Sequence, residues 1–151
     1  MKVYADTSVF GGVFDEEFTE PSKEFFAEAK SGRFSLIVSA VVQAEIASAP
    51  EEVQTFFREI VGEAEIVELT QEVLALRNAY LKAGVVTPKS IDDAAHVALA
   101  TISGCRMIVS WNFKHIVHFQ KIPKYNAVNA LNGCPTIDIF SPSQVIDYDD
   151  S

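Results

Sequence analysis

Apolar residues in this chain fall into short runs separated by longer mixed stretches, and the two kinds of segment alternate from one end to the other. Val3-Tyr4-Ala5 reads as a buried strand, because an apolar run beginning at residue 3 leaves no room for a helix. Asp6 closes that strand, the hydroxyl residues Thr7 and Ser8 follow, and Val9-Phe10-Gly11-Gly12 is expected to turn the chain away. Similar runs at residues 34–39, 65–69, 106–110 and 136–140 read as further strands. Between them, apolar spacing of three and four residues predicts helices. The first covers 22–31, with Phe25, Phe26 and Ala29 inward, Pro21 just inside its start and Gly32 at its end. The next spans 40–49, with Val41, Val42 and Ile46 apolar and Glu45 among them. Pro50-Glu51-Glu52 opens a third, whose core face is Val53, Phe56, Phe57 and Ile60 and which Gly62 stops. Thr70 caps a fourth running to residue 83, with Val73, Leu74, Tyr80 and Leu81 inward, and Ser90 caps a small-residue helix over 91–102. Past Trp111-Asn112 a short helix through His118 is expected, then a polar segment over 124–132, a closing turn and brief helix over 141–146, and an acidic tail over 147–151.

Strands alternating with helices predict an α/β fold, a three-layer α-β-α arrangement with a central parallel sheet. At 151 residues, with 48% hydrophobic residues and eleven Phe, the chain suits a single domain over 1–151 with one core. No apolar run approaches the ~20 residues that span a bilayer, so no membrane association is expected. The N-terminus lacks a basic segment followed by an apolar one, which points to a cytoplasmic protein with Cys105 and Cys134 as reduced thiols. A net charge of −9 excludes a broad basic nucleic-acid surface but leaves room for an acidic site that meets phosphates through a metal ion.

Three acids are placed for such a site. Asp6 ends the first strand, where open α/β sheets bind ligands; it is either a coordinating carboxylate or the cap of the following turn. Glu45 lies in an otherwise apolar helix, and either marks a solvated face or is aimed into the crevice. Asp93 sits in the first helical turn, where Ser90-x-x-Asp93 also fits a capping box and an acid favours the helix dipole without any function. Asp92 is ~100° away around the same helix, so the two cannot point alike. Ala94, Ala95, Ala98 and Ala100 allow this helix a close approach to the sheet.

Taken together, Asp6-Thr7-Ser8, Glu45, Asp93-Ala94-Ala95-His96-Val97-Ala98-Leu99-Ala100 and Ser110-Trp111-Asn112-Phe113-Lys114-His115 resemble the ordered motifs of PIN-domain nucleases, in particular VapC-type toxins of prokaryotic toxin–antitoxin systems. The closing residues 141–146 resemble the family's last segment. The resemblance implies a PIN-like fold and a carboxylate cluster of Asp6, Glu45 and Asp93 holding Mg²⁺ or Mn²⁺. Asn112, which stands where the family carries a fourth acid, and Asp92 are further candidates for the metal. Ser110 matches a hydroxyl position, and Thr7 or Ser8 would orient Asp6. The implied activity is metal-dependent endonucleolytic cleavage of single-stranded RNA, with an antitoxin partner and a homodimeric assembly. Phe25, Phe26, Phe56 and Phe57 offer apolar surface for such an assembly.

The remaining chemistry-bearing residues have two readings each. Trp111 is either a base-stacking residue or a core plug, and His115 and His118 are an RNA-contacting or surface pair, because no Cys completes a zinc site. Lys114, Lys121 and Lys124 form a local basic patch suited to phosphates, and His96 reads as a packed, hydrogen-bonded core residue. Two other functions compete with the nuclease. One is an aspartyl-phosphate phosphatase or phosphoacceptor, which usually wants a second Asp where Ser8 stands; the other is a non-catalytic binding module, with Asn112 the mark of a decayed site.

Overall fold

A computed structural model describes residues 1–148. The chain order is β1 (Lys2–Ala5), α1 (Thr7–Gly12), α2 (Thr19–Lys30), β2 (Ser35–Ser39), α3 (Ala40–Ile46), α4 (Glu51–Val61), β3 (Glu65–Val67), α5 (Gln71–Lys82), α6 (Ile91–Ile102), β4 (Met107–Val109), α7 (Ile122–Leu131), β5 (Asp138–Phe140) and α8 (Pro142–Val145). The strands form one sheet in the order β3-β2-β1-β4-β5 with every pairing parallel, as the alternating pattern requires. Val3 pairs with Leu36 on one side and Met107 on the other, so β1 is central and buried on both faces. Chain order runs outward from β1 in both directions, which makes the crevice beyond its carboxyl end the topological switch point where such sheets bind ligands.

The core is aromatic between α1, α2 and α4. Phe10 packs on Phe26 at 4.7 Å and on Phe57 at 5.1 Å, and Phe25 packs on Phe26 and Phe34. Phe25, Phe26 and Phe57 are thereby buried, as their inward positions predict, and of the four aromatics offered for an assembly only Phe56 is left partly exposed. Phe14 and Leu131 are among the large apolar residues that do face solvent.

Five local readings of the sequence are corrected. Residues 9–12 are part of helix α1 rather than a turn, and Gly12 serves close packing: a Cβ there would stand 2.6 Å from both Ser22 Oγ and Trp111 Nε1. Residues 113–118 form successive turns rather than a helix. The Asn112 side chain caps the Lys114 and His115 amides at 3.2 and 2.9 Å, and its backbone carbonyl takes those of Ile116 and Val117, so a single capped turn forms and is not continued. Most of the stretch 124–132, read as a polar segment, belongs to helix α7. Its inward positions include Asn129, fully buried between Tyr80 and Thr101, and Asn126, which holds both backbone groups of Ile137, so the apolar periodicity is masked. Ser90 makes no side-chain cap bond, because a 3-10 turn over Pro88–Ser90 already feeds α6. Along α5 the buried leucine is Leu76, with Leu74 and Leu81 only partly covered. The residues of the acidic tail beyond Tyr148 lie outside the described residues.

Candidate active site

Asp6 leaves β1 in extended conformation and caps α1, its Oδ1 accepting from the Ser8 amide at 3.1 Å and the Ser8 hydroxyl at 2.6 Å. Its Oδ2 accepts from Ser110 Oγ at 2.6 Å, at the end of β4. Each serine is itself held: Trp111 N donates to Ser8 Oγ at 2.8 Å and Asn112 N to Ser110 Oγ at 2.9 Å. Capping and placement in the crevice, alternatives on sequence grounds, are therefore met by one side chain. The carboxyl is 4% exposed, and burial pushes its pKa up; the Glu45 charge adds to the rise, while His96 and the two hydroxyls oppose it.

Glu45 is carried by α3, which starts directly after β2 under a Ser39 cap. Its Oε1 accepts from Thr7 Oγ1 at 2.8 Å and meets His96 Nε2 at 2.6 Å. Burial would raise this carboxyl, but the His96 bond and charge and the Thr7 hydroxyl outweigh it and hold the pKa below the ordinary value. For His96 burial acts downward, and the Glu45 bond with the charges of Asp6, Glu45 and Asp93 carries it upward.

Asp93, half-buried in the first turn of α6, accepts from Asn112 Nδ2 at 3.0 Å. Burial raises its pKa, with Asp6 and Glu45 adding to the rise and His115 and His96 opposing it. Hydrogen bonds tie the three acids together at the strand ends: Asp6 through Ser110 and Asn112 to Asp93, and Glu45 through Thr7, the residue after Asp6. Asp92 is exposed and lies on the rim of an open depression of about 590 Å³ shared with Glu45, Ala40, Val41, Ala44, Ser48 and Leu69. A hollow of about 760 Å³ beside Phe14 and Phe56 includes none of the three acids.

Asn112 is fixed by its own loop: the oxygen accepts the Lys114 and His115 amides, so the NH₂ group is what faces Asp93. Trp111 is the core plug of its two readings. It is 8% exposed, stacked on Phe18 at 4.1 Å, with its indole N–H on Ser22 Oγ at 2.8 Å. The ring next to it that solvent reaches is Phe113, 49% exposed. Lys114 and Lys124 are exposed, whereas Lys121 donates to the Val85 carbonyl at 2.7 Å. His115 Nδ1 is buried with no hydrogen-bond partner among the described residues. Cys105 and Cys134 are both free thiols, and among the described residues no helix is long and apolar enough to cross a membrane.

Sequence reasoning missed what His96 does and missed Phe113 altogether. His96 stands one helical turn after Asp93, and that i, i+3 spacing was the available signal for a residue reaching the same crevice. Phe113 carried no such signal, since exposure of a loop aromatic depends on which neighbour the core takes.

Carboxylate oxygens braced by hydroxyls are hard donors. No three His, Cys, Asp or Glu side chains among the described residues converge tightly enough to enclose a bare cation. A small cation that keeps much of its water needs only one or two direct carboxylates, and the donor set suits that demand.

Fold and site together define a parallel α/β protein with an acidic, hydroxyl-braced crevice at its central strand ends. Residues 3–115 match the PIN domain, and the chain belongs to that family. Three solved structures share its fold. VapBC2 from Rickettsia felis bound to a promoter DNA fragment matches at TM-score 0.61 and 12% identity, over 93% of this chain and 98% of that one. VapBC-1 from nontypeable Haemophilus influenzae matches at 0.60 and 14%, over 95% and 99%. FitAcB from Neisseria gonorrhoeae matches at 0.59 and 14%, again over 95% and 99%. No curated protein matches the chain.

Proposed function

We propose that this protein is a Mg²⁺- or Mn²⁺-dependent endoribonuclease that cleaves single-stranded RNA and acts as the toxin of a toxin–antitoxin pair. What supports the reading is that hydrogen bonds link Asp6 to Asp93 and bring Glu45 onto Thr7 at the central strand ends, in a chain of the PIN family, whose members are generally nucleases. The fold it shares with VapBC and FitAB proteins supports an antitoxin partner. A cytoplasmic location and a homodimer complete the proposal.

Asp6, Glu45 and Asp93 would hold the cation, which supplies an activated water and a Lewis acid for the phosphate. Ser8 and Ser110 fix the Asp6 carboxylate, and Thr7 and His96 fix Glu45, so neither acid has to reorganise during the reaction. Asn112 donates to Asp93 and keeps that side chain turned toward the crevice. Lys114 and Phe113 stand where an RNA strand would enter, one suited to phosphate and the other to a base face. Cleavage would leave 5′-phosphate and 3′-hydroxyl ends.

The test uses an unstructured RNA oligonucleotide with Mg²⁺ or with chelator. Asp6→Asn, Glu45→Gln and Asp93→Asn should each lower the rate at least ~100-fold, with unchanged circular dichroism, because each removes part of the charge that binds the cation. Full activity in any one variant removes that residue from the site. Co-expression with a small DNA-binding protein from the adjacent reading frame should suppress cleavage and yield a complex.

A further inference from the structure

The hydrogen bonds around the crevice decide how many oxygens each carboxylate can give to a cation. An ionised carboxylate has about four acceptor directions, two on each oxygen. Oε1 of Glu45 uses both of its own, on Thr7 Oγ1 at 2.8 Å and His96 Nε2 at 2.6 Å, while Oε2 has no partner among the described residues. Asp6 is treated alike: Oδ1 is filled by the Ser8 amide and hydroxyl, and Oδ2 keeps one direction beside Ser110. Each of the two acids is left with a single oxygen to offer.

The lock on Glu45 is anchored deep in the fold. His96 is 2% exposed, and its Nδ1 lies 2.7 Å from the Tyr4 hydroxyl, which lies 2.7 Å from Ser39 Oγ. Ser39 Oγ in turn accepts from the Val42 amide at the start of α3. Ser39, Tyr4 and His96 therefore form one continuous hydrogen-bonded chain that ends on Oε1 of Glu45, to which His96 Nε2 donates. A ring fixed at both nitrogens cannot swing away to release Oε1.

A carboxylate restricted to one oxygen suits a cation that takes six ligands at close range and keeps several waters. It does not suit Ca²⁺, which gathers six to eight oxygens and often takes both from one carboxylate. We propose that Thr7 and His96, by occupying Oε1 of Glu45, set the preference of this site for Mg²⁺ or Mn²⁺ over Ca²⁺. This rests on the reading that Asp6, Glu45 and Asp93 hold a cation. Both are selectivity-setting, positioning residues that act through Glu45.

Competition between Mn²⁺ and Ca²⁺ tests it without any RNA. Full-length protein is loaded with Mn²⁺, Ca²⁺ is titrated in, and free Mn²⁺ is followed by its electron paramagnetic resonance signal. Thr7→Val keeps the shape and removes one donor; Thr7→Ser keeps the hydroxyl; His96→Leu removes the other donor. Thr7→Val and His96→Leu should each shift the Ca²⁺/Mn²⁺ affinity ratio toward Ca²⁺ by about tenfold, the low end of what outer-shell partners contribute, and Thr7→Ser should match the wild type. Bound Mn²⁺ with an unchanged ratio in Thr7→Val overturns the inference alone, whether or not His96→Leu folds. A wild type that binds no Mn²⁺ overturns both the inference and the metal reading beneath it.

Discussion

The two walls of the crevice are built differently. On one, Asp6 is almost fully buried, both its oxygens are bonded to serines, and Trp111 seals the space behind them. On the other, Asp93 is half-buried and held by a single amide donor, and the loop that supplies that donor carries exposed Phe113 and Lys114. Burial raises both carboxyls, so their electrostatic situation is alike and their mechanical situation is not. The difference follows from the elements. Strand ends inside a parallel sheet are surrounded by backbone and short hydroxyls, while a loop of successive turns leaves long side chains free. Under the proposed function, the first wall would hold a small ion still and the second would admit a long polymer.

The adjacent rings Trp111 and Phe113 give that contrast its largest expected effect. Trp111→Ala empties a buried aromatic site against Phe18 and Gly12, and should cost about 3–5 kcal/mol of unfolding free energy in denaturant melts. Phe113→Ala touches little of the core and should leave the melt nearly unchanged. It should weaken binding of a single-stranded RNA to the Asp6→Asn protein, used to prevent cleavage, by about 1–3 kcal/mol. If Phe113→Ala binds as tightly as its parent, the open wall does not stack a base.

A middling effect is expected where the walls meet. Asn112→Asp replaces the donor that faces Asp93 with a third like charge near Asp6 and Asp93. The metal-free protein should lose stability, and Mn²⁺ affinity should rise, by about tenfold if the new carboxylate comes within reach of the ion. Thermal melts with and without Mn²⁺ read both at once. Unchanged Mn²⁺ affinity would place residue 112 outside the reach of the cation.

How far the sequence disclosed all this depends on what each residue answers to. The strands and the parallel sheet follow from apolar runs, a local signal, and Asp6 stands at the end of one, whereas Glu45 and Asp93 lie within helices where spacing alone left a solvated face or a capping role open. Helix α7 was hidden because Asn126 and Asn129 satisfy buried partners brought from Ile137, Tyr80 and Thr101, which only the tertiary fold supplies. Trp111 and Phe113 are two residues apart, and alternation alone could not say which would face Phe18. His96 was legible as buried. Its bond to Glu45 spans 51 positions of chain and had no trace in spacing.

The smallest effect separates the neighbours Asp92 and Asp93. Neither has a capping hydroxyl partner to lose, since Ser90 makes no side-chain cap bond, so what both share is the helix dipole, about 0.3–1 kcal/mol. Asp92→Ala should cost that amount in the metal-free protein. Asp93→Ala loses the same contribution but also relieves burial of a charge beside Asp6 and Glu45, so it should cost less or stabilise. The pH dependence fixes the sign. A carboxyl raised on folding makes the native state hold a proton that the unfolded chain has released. Wild-type stability relative to Asp93→Ala should therefore fall as pH rises from the ordinary carboxylate range through the raised value, and recover on acidification. Mn²⁺ reverses the ranking. Wild type should gain about 2.7 kcal/mol at a hundredfold excess over Kd, Asp92→Ala should keep that gain, and Asp93→Ala should lose most of it. If Asp93→Ala retains the full gain while Asp92→Ala loses it, the exposed acid on the rim beside Glu45 is the one that meets the cation, and the bond from Asn112 serves only to hold α6 against the loop.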